Sequence, residues 1–178
     1  MREIVVVIFS LLIFSGCVFQ PPVAVVDNSV EVYEEIELAP NVVDLNVQDL
    51  LVDDEVERLL SLAYAQMGTP YLYGGNDYFG FDCSGFVCYV YKNAVGKNLP
   101  RTSLAQSQLS DQLDRHELTP GDIVFFDTAK KGYINHCGIY IGNGNFIHSS
   151  SGKVKAVTIS NLDRGFYKKN FRWGGRVE

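Results

Sequence analysis

From residue 53 onward the apolar positions change period once, from helical to alternating. Val56, Leu59, Leu60, Ala63 and Met67 recur at the three- and four-residue spacing of a helix with one buried stripe. Asp53 or Asp54 stands where an N-cap belongs, and Gly68 followed by Pro70 marks the stop. A second helix is expected from Asp82 or Cys83 to about Gly96, with Phe86, Val87, Val90 and Tyr91 on its apolar face. A short third helix covers 102–109. After the Pro120-Gly121 turn the pattern becomes that of strands: Asp122–Phe126, His136–Ile141, Asn145–Ser149, Val154–Ile159 and Asn170–Trp173. The Asn143-Gly144 pair inside Gly142–Gly144 signals a hairpin. Helices first and strands last predict an α+β domain with a mainly antiparallel sheet.

The front of the chain reads differently. Residues 4–14, IVVVIFSLLIF, form an apolar run behind Arg2. As a helix this run would span about half of the ~30 Å hydrocarbon layer, which fits a secretory signal peptide better than a membrane span. It ends in Ser15-Gly16-Cys17, which resembles the lipobox of bacterial lipoproteins, with Phe14 where an aliphatic residue is usual. Residues 1–16 are therefore expected to be a signal peptide and Cys17 the lipidated residue, anchoring the exported protein to the cell envelope. Residues 17–52 are expected to be a tether or a partly packed extension, with a reach of up to ~120 Å if fully extended. Residues 53–178 form the expected catalytic domain.

Charge supports this division. The formal net charge is −6, and residues 18–52 hold seven acidic side chains and no basic one. The net charge argues against nucleic acid as a partner, and the nearly neutral domain that follows gives no long-range steering signal from which a substrate could be read.

Four cysteines and three histidines carry the candidate chemistry. Cys83 lies in Phe81-Asp82-Cys83-Ser84-Gly85-Phe86, at the expected start of a helix, where unpaired N–H groups favour the thiolate. Cys88 should lie about 140° round that helix. His136 and Cys137 are neighbours in a strand, so their side chains should diverge, with Cys137 toward the core. An oxidising compartment allows a Cys88–Cys137 disulfide, which spacing alone does not establish. His116 is expected at the surface. Strict pairing about Asn143 and Gly144 puts His136 near Ser151, and a slip or bulge would bring His148 within reach. His136 could then act as base while His148 takes its other ring proton and fixes the tautomer. No CxxC or HExxH pattern supports a metal, and no cofactor is implied. The Ser149-Ser150-Ser151 run lacks a nucleophile-elbow pattern and reads as solvated loop or substrate rim.

Five segments, in order, resemble the NlpC/p60 cell-wall peptidases, a compact papain-like branch of cysteine peptidases. They are Gly68–Gly75 (GTPYLYGG), Phe81–Phe86 (FDCSGF), Leu99–Ser103 (LPRTS), Pro120–Phe126 (PGDIVFF) and His136–Tyr140 (HCGIY). The resemblance implies Cys83 as nucleophile, His136 as base and His148 as the residue orienting it. It implies Tyr71 and Ser84 as oxyanion or substrate contacts. Where Cys137 stands the family usually has Val; a core-facing side chain there should leave the chemistry intact. The implied substrate is the peptidoglycan stem peptide, commonly cut between D-glutamate and diaminopimelate. Two other readings remain open: an amidase or acyltransferase on the same fold, and a non-catalytic anchored wall-binding protein.

Overall fold

The computed structural model describes residues 47–178, with side chains from residue 54. The expected signal peptide, Cys17 and most of the expected tether lie outside the described residues. The first helix, α1, spans Val47–Ala65, so it begins six residues before the boundary read from the sequence. Asp53 and Asp54 therefore sit within the helix instead of capping it, and Asp54 pairs with Arg58 one turn on. Leu59 and Ala63 of the stripe are buried, but Met67 is 42% exposed. The helix has ended by then, and Gly68, with φ +83°, turns the chain away.

A two-stranded hairpin follows, β1 (Asn76–Asp77) with β2 (Gly80–Phe81), which the sequence did not suggest. Helix α2, Cys83–Val95, runs from an Asp82 N-cap to a left-handed Gly96. Phe86, Val87, Val90 and Tyr91 are buried as expected. Helix α3 is reduced to Ser103–Gln106, and a 3-10 turn covers Arg115–Glu117.

The strands are β3 (Ile123–Phe126), β4 (His136–Gly142), β5 (Asn145–Ser149), β6 (Val157–Asn161) and β7 (Phe171–Gly175). They form one antiparallel sheet in the order β6-β5-β4-β3-β7. Strand β6 starts three residues later than expected. A short unanticipated helix, α4 (Gly165–Asn170), precedes β7.

Alternation along β3 and β4 divides the core. Ile123, Phe125, Cys137, Ile139 and Ile147 join Leu59, Ala63 and the α2 face in the larger cluster. Val124, Phe126, Phe146 and Leu162 form a smaller one on the other face, with Tyr167 of α4 and Phe171 packed against it. The α+β, papain-like architecture is present: the N-terminal helices α1 and α2 lie on one side of an antiparallel sheet, with Cys83 opening α2.

Candidate active site

The first turn of α2 is fixed from several directions. The Asp82 carboxylate accepts from the Gly85 N–H (2.7 Å) and the Gly74 N–H (3.0 Å). Arg101 donates to both its oxygens, at 2.8 Å each. The same guanidinium reaches Ser84 Oγ (3.1 Å) and the Gly75 carbonyl (3.1 Å). Burial opposes ionisation of Asp82, but the bonds from Arg101 and the two amides outweigh it and hold the carboxyl below its usual range. A Cβ on Gly85 would lie 2.1 Å from the Gly75 carbonyl oxygen, so only glycine lets the loop close over the helix start. The N–H groups of Cys83 and Ser84 have no acceptor among the described residues, as belongs to the first turn of a helix.

Cys83 is half-buried at this terminus, against the start of β4. Its thiol is held well below the ordinary value. The neighbouring Cys137 thiol lowers it first, burial opposes the shift, and the His136 imidazole, chiefly through its charge, lowers it further. Because S–H is a weak donor, the imidazole and the helix end carry the chemical weight.

The histidines meet through a bulge. Ile139 pairs with Ile147 and Tyr140 with Phe146, but Gly142 pairs with Asn145, which leaves Ile141 as an extra residue. Gly142 (φ +93°), Asn143 (φ +53°) and Gly144 (φ +72°) form the turn. One extra residue flips the alternation of everything beyond it. Strict pairing would have put His148 on the Cys137 face; the bulge puts it on the His136 face. His136 Nε2 lies 2.9 Å from His148 Nδ1, and His148 Nε2 lies 3.0 Å from Ser160 Oγ. A Cβ on Gly138 would come within 2.9 Å of the His148 Cβ and 2.7 Å of the Ile147 carbonyl oxygen, so this closeness needs glycine.

Proton positions follow from the geometry. For His136 to accept from Cys83 through Nδ1, its Nε2 must carry hydrogen and donate to His148 Nδ1. His148 then carries hydrogen on Nε2 and donates to Ser160. Burial, and then the charge of His136, push the His148 pKa well below the ordinary imidazole value, so the ring stays neutral. Tyr167 covers both rings, 6.1 Å from His136 and 5.1 Å from His148 between centroids.

Tyr71 is partly buried, and its hydroxyl is kept protonated by burial first and then by the neighbouring charges of Cys83 and Asp82. The Ser84 hydroxyl is occupied by Arg101 and Asp82. His116 is exposed. Two expectations change. Ser149 and Ser150 are buried, not solvated: Ser149 donates to the Phe81 carbonyl (2.7 Å), bracing the segment just before Cys83. Cys137 faces the core as expected but also bears on the Cys83 thiol, which packs against the same cluster.

Arg101, Gln106, Ser160 and Tyr167 were not singled out in the sequence. Gln106 donates to the Ser84 carbonyl (3.2 Å) and to Cys88 Sγ (3.2 Å) and accepts from Cys137 Sγ (3.3 Å), so its amide lies between two thiols, both free. Only Arg101 had a signal, being the one cation in the LPRTS segment.

The NlpC/P60 family model matches residues 68–176. The chain belongs to the NlpC/P60 family. It is 44% identical over 109 residues to the "Probable endopeptidase NlpC" of Escherichia coli K12, covering 61% of this chain and 69% of that one. It is 39% identical to "Murein DD-endopeptidase MepH" of the same organism, over 63% of this chain and 42% of the relative. "Gamma-DL-glutamyl hydrolase" of Bacillus subtilis is 41% identical, over 67% of this chain and 27% of the relative. The chain thus spans less than half of the second and third. Within this NlpC/P60 domain, the arrangement of thiol, imidazole and helix end is a cysteine-peptidase active site.

Proposed function

We propose that the protein hydrolyses an amide bond in peptidoglycan stem peptides, between D-glutamate and diaminopimelate, with Cys83 as nucleophile. One observation carries this reading: a hydrogen-bonded line from His136 through His148 to Ser160, with the His136 imidazole acting on the Cys83 thiol at the helix start. His136 takes the Cys83 proton at Nδ1, and the thiolate attacks the amide carbon. The oxyanion is met by the Cys83 N–H and the protonated Tyr71 hydroxyl; one such donor is worth about 3–4 kcal/mol. The His136 imidazolium passes its proton to the leaving amine, and His148 keeps the ring oriented throughout. Water, deprotonated by His136, then hydrolyses the thioester and releases the new carboxylate. Ser84 and Arg101 hold the helix start in place.

Support for the substrate comes from the family and from the relatives' names. The B. subtilis relative is described as a glutamyl hydrolase, which favours a glutamyl amide. The E. coli relative described as a DD-endopeptidase favours a second reading, a cut at the crosslink. Digestion of defined monomeric and crosslinked muropeptides, with fragments identified by mass spectrometry, separates the two. A new amino terminus on diaminopimelate in monomers supports the first. Crosslink cleavage alone supports the second, and release of glycan with intact stems overturns both. A Cys83→Ala variant that digests wall as fast as the parent would remove the catalytic assignment. For the front of the chain, we read Cys17 as the lipidated residue, from the segment Ser15-Gly16-Cys17. Cys17→Ser should move the protein from the membrane fraction to the soluble one.

A further inference from the structure

We propose that Cys83 and Cys137 form a peroxide-reactive dithiol, in which Cys137 traps the oxidised nucleophile as a disulfide. The mechanism derived above gives Cys137 no role. Yet its thiol is fully buried, belongs to the core cluster against which Cys83 packs, and is tied to the first turn of α2 through Gln106, whose amide donates to the Ser84 carbonyl (3.2 Å) and accepts from Cys137 Sγ (3.3 Å).

Three features favour the reaction. Cys83 is half-buried and so reachable, whereas Cys137 has no exposed surface. A peroxide therefore meets only the first sulfur. Cys83 is also the thiol poised as an anion, and the thiolate is the form that peroxides oxidise. Finally, the other thiol near the group is already engaged. Cys88 Sγ lies 3.5 and 3.3 Å from the Leu99 and Pro100 carbonyl oxygens, with the Gln106 amide against it. Apart from its neighbour Cys83, Cys137 has one weak polar contact among the described residues, to Gln106 Oε1 at 3.3 Å.

The balance is simple. The Cys83 thiolate attacks one peroxide oxygen; the O–O bond breaks, sulfur loses two electrons, and the leaving alkoxide or hydroxide takes a proton. This gives Cys83 sulfenic acid. The Cys137 sulfur then attacks the Cys83 sulfur, the S–O bond breaks, and the Cys137 proton leaves with the hydroxyl as water. The proximity of the Cys83 anion is one reason the Cys137 thiol resists deprotonation, after burial itself. Oxidation of Cys83 to neutral sulfenic acid removes that opposition. The resulting disulfide removes the proposed nucleophile reversibly and shields it from the irreversible sulfinic and sulfonic acids. Loss of activity rests on the reading of Cys83 as nucleophile; the disulfide does not.

The test uses the full chain with hydrogen peroxide, read by intact mass, peptide mapping and wall-digesting activity before and after dithiothreitol. Each protein is referred to its own untreated activity. The parent should become lighter by two hydrogens, yield a Cys83–Cys137 linked peptide, lose activity and recover about tenfold or more on reduction. Cys137→Val should instead gain oxygen on Cys83 and recover less than about twofold. Cys137→Ala serves the same purpose if Val disturbs packing. A linked peptide with activity unchanged leaves the dithiol standing and removes Cys83 from catalysis. Cys83 sulfinic acid without a linked peptide in the parent, or a disulfide through Cys88, overturns the proposal.

Discussion

Replacing His148 tests whether the second histidine acts through its hydrogen bond or merely fills space. The ring is fully buried and neutral, accepts from His136 Nε2 at 2.9 Å and donates to Ser160 at 3.0 Å. His148→Leu keeps most of the volume but leaves the His136 Nε2 hydrogen facing carbon in a buried site. An orphaned donor there costs about 1–3 kcal/mol. The His136 ring can avoid that cost by rotating or by moving its hydrogen to Nδ1, and either change spoils acceptance from Cys83. The same 1–3 kcal/mol is then lost from the transition state, a fall of about 5- to 150-fold in kcat with KM little changed. His148→Asn puts a carbonyl oxygen close to where Nδ1 was, restoring the acceptor, and should recover most of kcat. Steady-state hydrolysis of a defined muropeptide by the three proteins gives the answer, with circular dichroism checking that each is folded. A folded Leu variant as fast as the parent would refute the orienting role. Leu and Asn variants equally slow would mean that packing under Tyr167, not the hydrogen bond, is what matters.

Other outcomes follow from the same geometry. Tyr71→Phe removes one proposed oxyanion donor and should lower kcat by about 100-fold or more with KM nearly constant; an unchanged kcat would exclude the hydroxyl. Arg101→Lys loses the two-pronged bond to Asp82, and since the arginine is about 40% exposed the cost in stability should be only about 1–2 kcal/mol in chemical denaturation. Gly138→Ala forces a methyl against the Ile147 carbonyl and the His148 Cβ, and should cost about 1–3 kcal/mol with a larger fractional loss of activity than of folded protein. The depressed His148 pKa gives stability a definite pH slope. Below about pH 6.5 the unfolded chain takes up a proton that the folded chain refuses, so stability should fall with acidification, by up to ~1.4 kcal/mol per pH unit from this group. His148→Asn should flatten that slope in denaturant titrations.

What could be read from the sequence was local, and what could not depended on chain pairing. Helix α2 carries its own start and stop in Asp82 and Gly96, so its limits, with Cys83 as its first residue, were legible. Strands β3, β4 and β5 were legible from their apolar runs and the Asn143-Gly144 turn. Arg101, Gln106 and Tyr167 could not be assigned in this way, because their partners stand 17 or more residues away in Asp82, Ser84, Cys88, Cys137, His136 and His148. The two histidines show the limit most clearly. Both were visible, and so was the turn between them, but alternation alone puts them on opposite faces of the sheet. Only the extra residue at Ile141 reverses that parity, and nothing in an isoleucine announces a bulge. The bulge lies five residues along β4 from His136, yet it decides which histidine face the sulfur meets. Catalytic geometry here is therefore set by hairpin register as much as by the residues that would carry the protons.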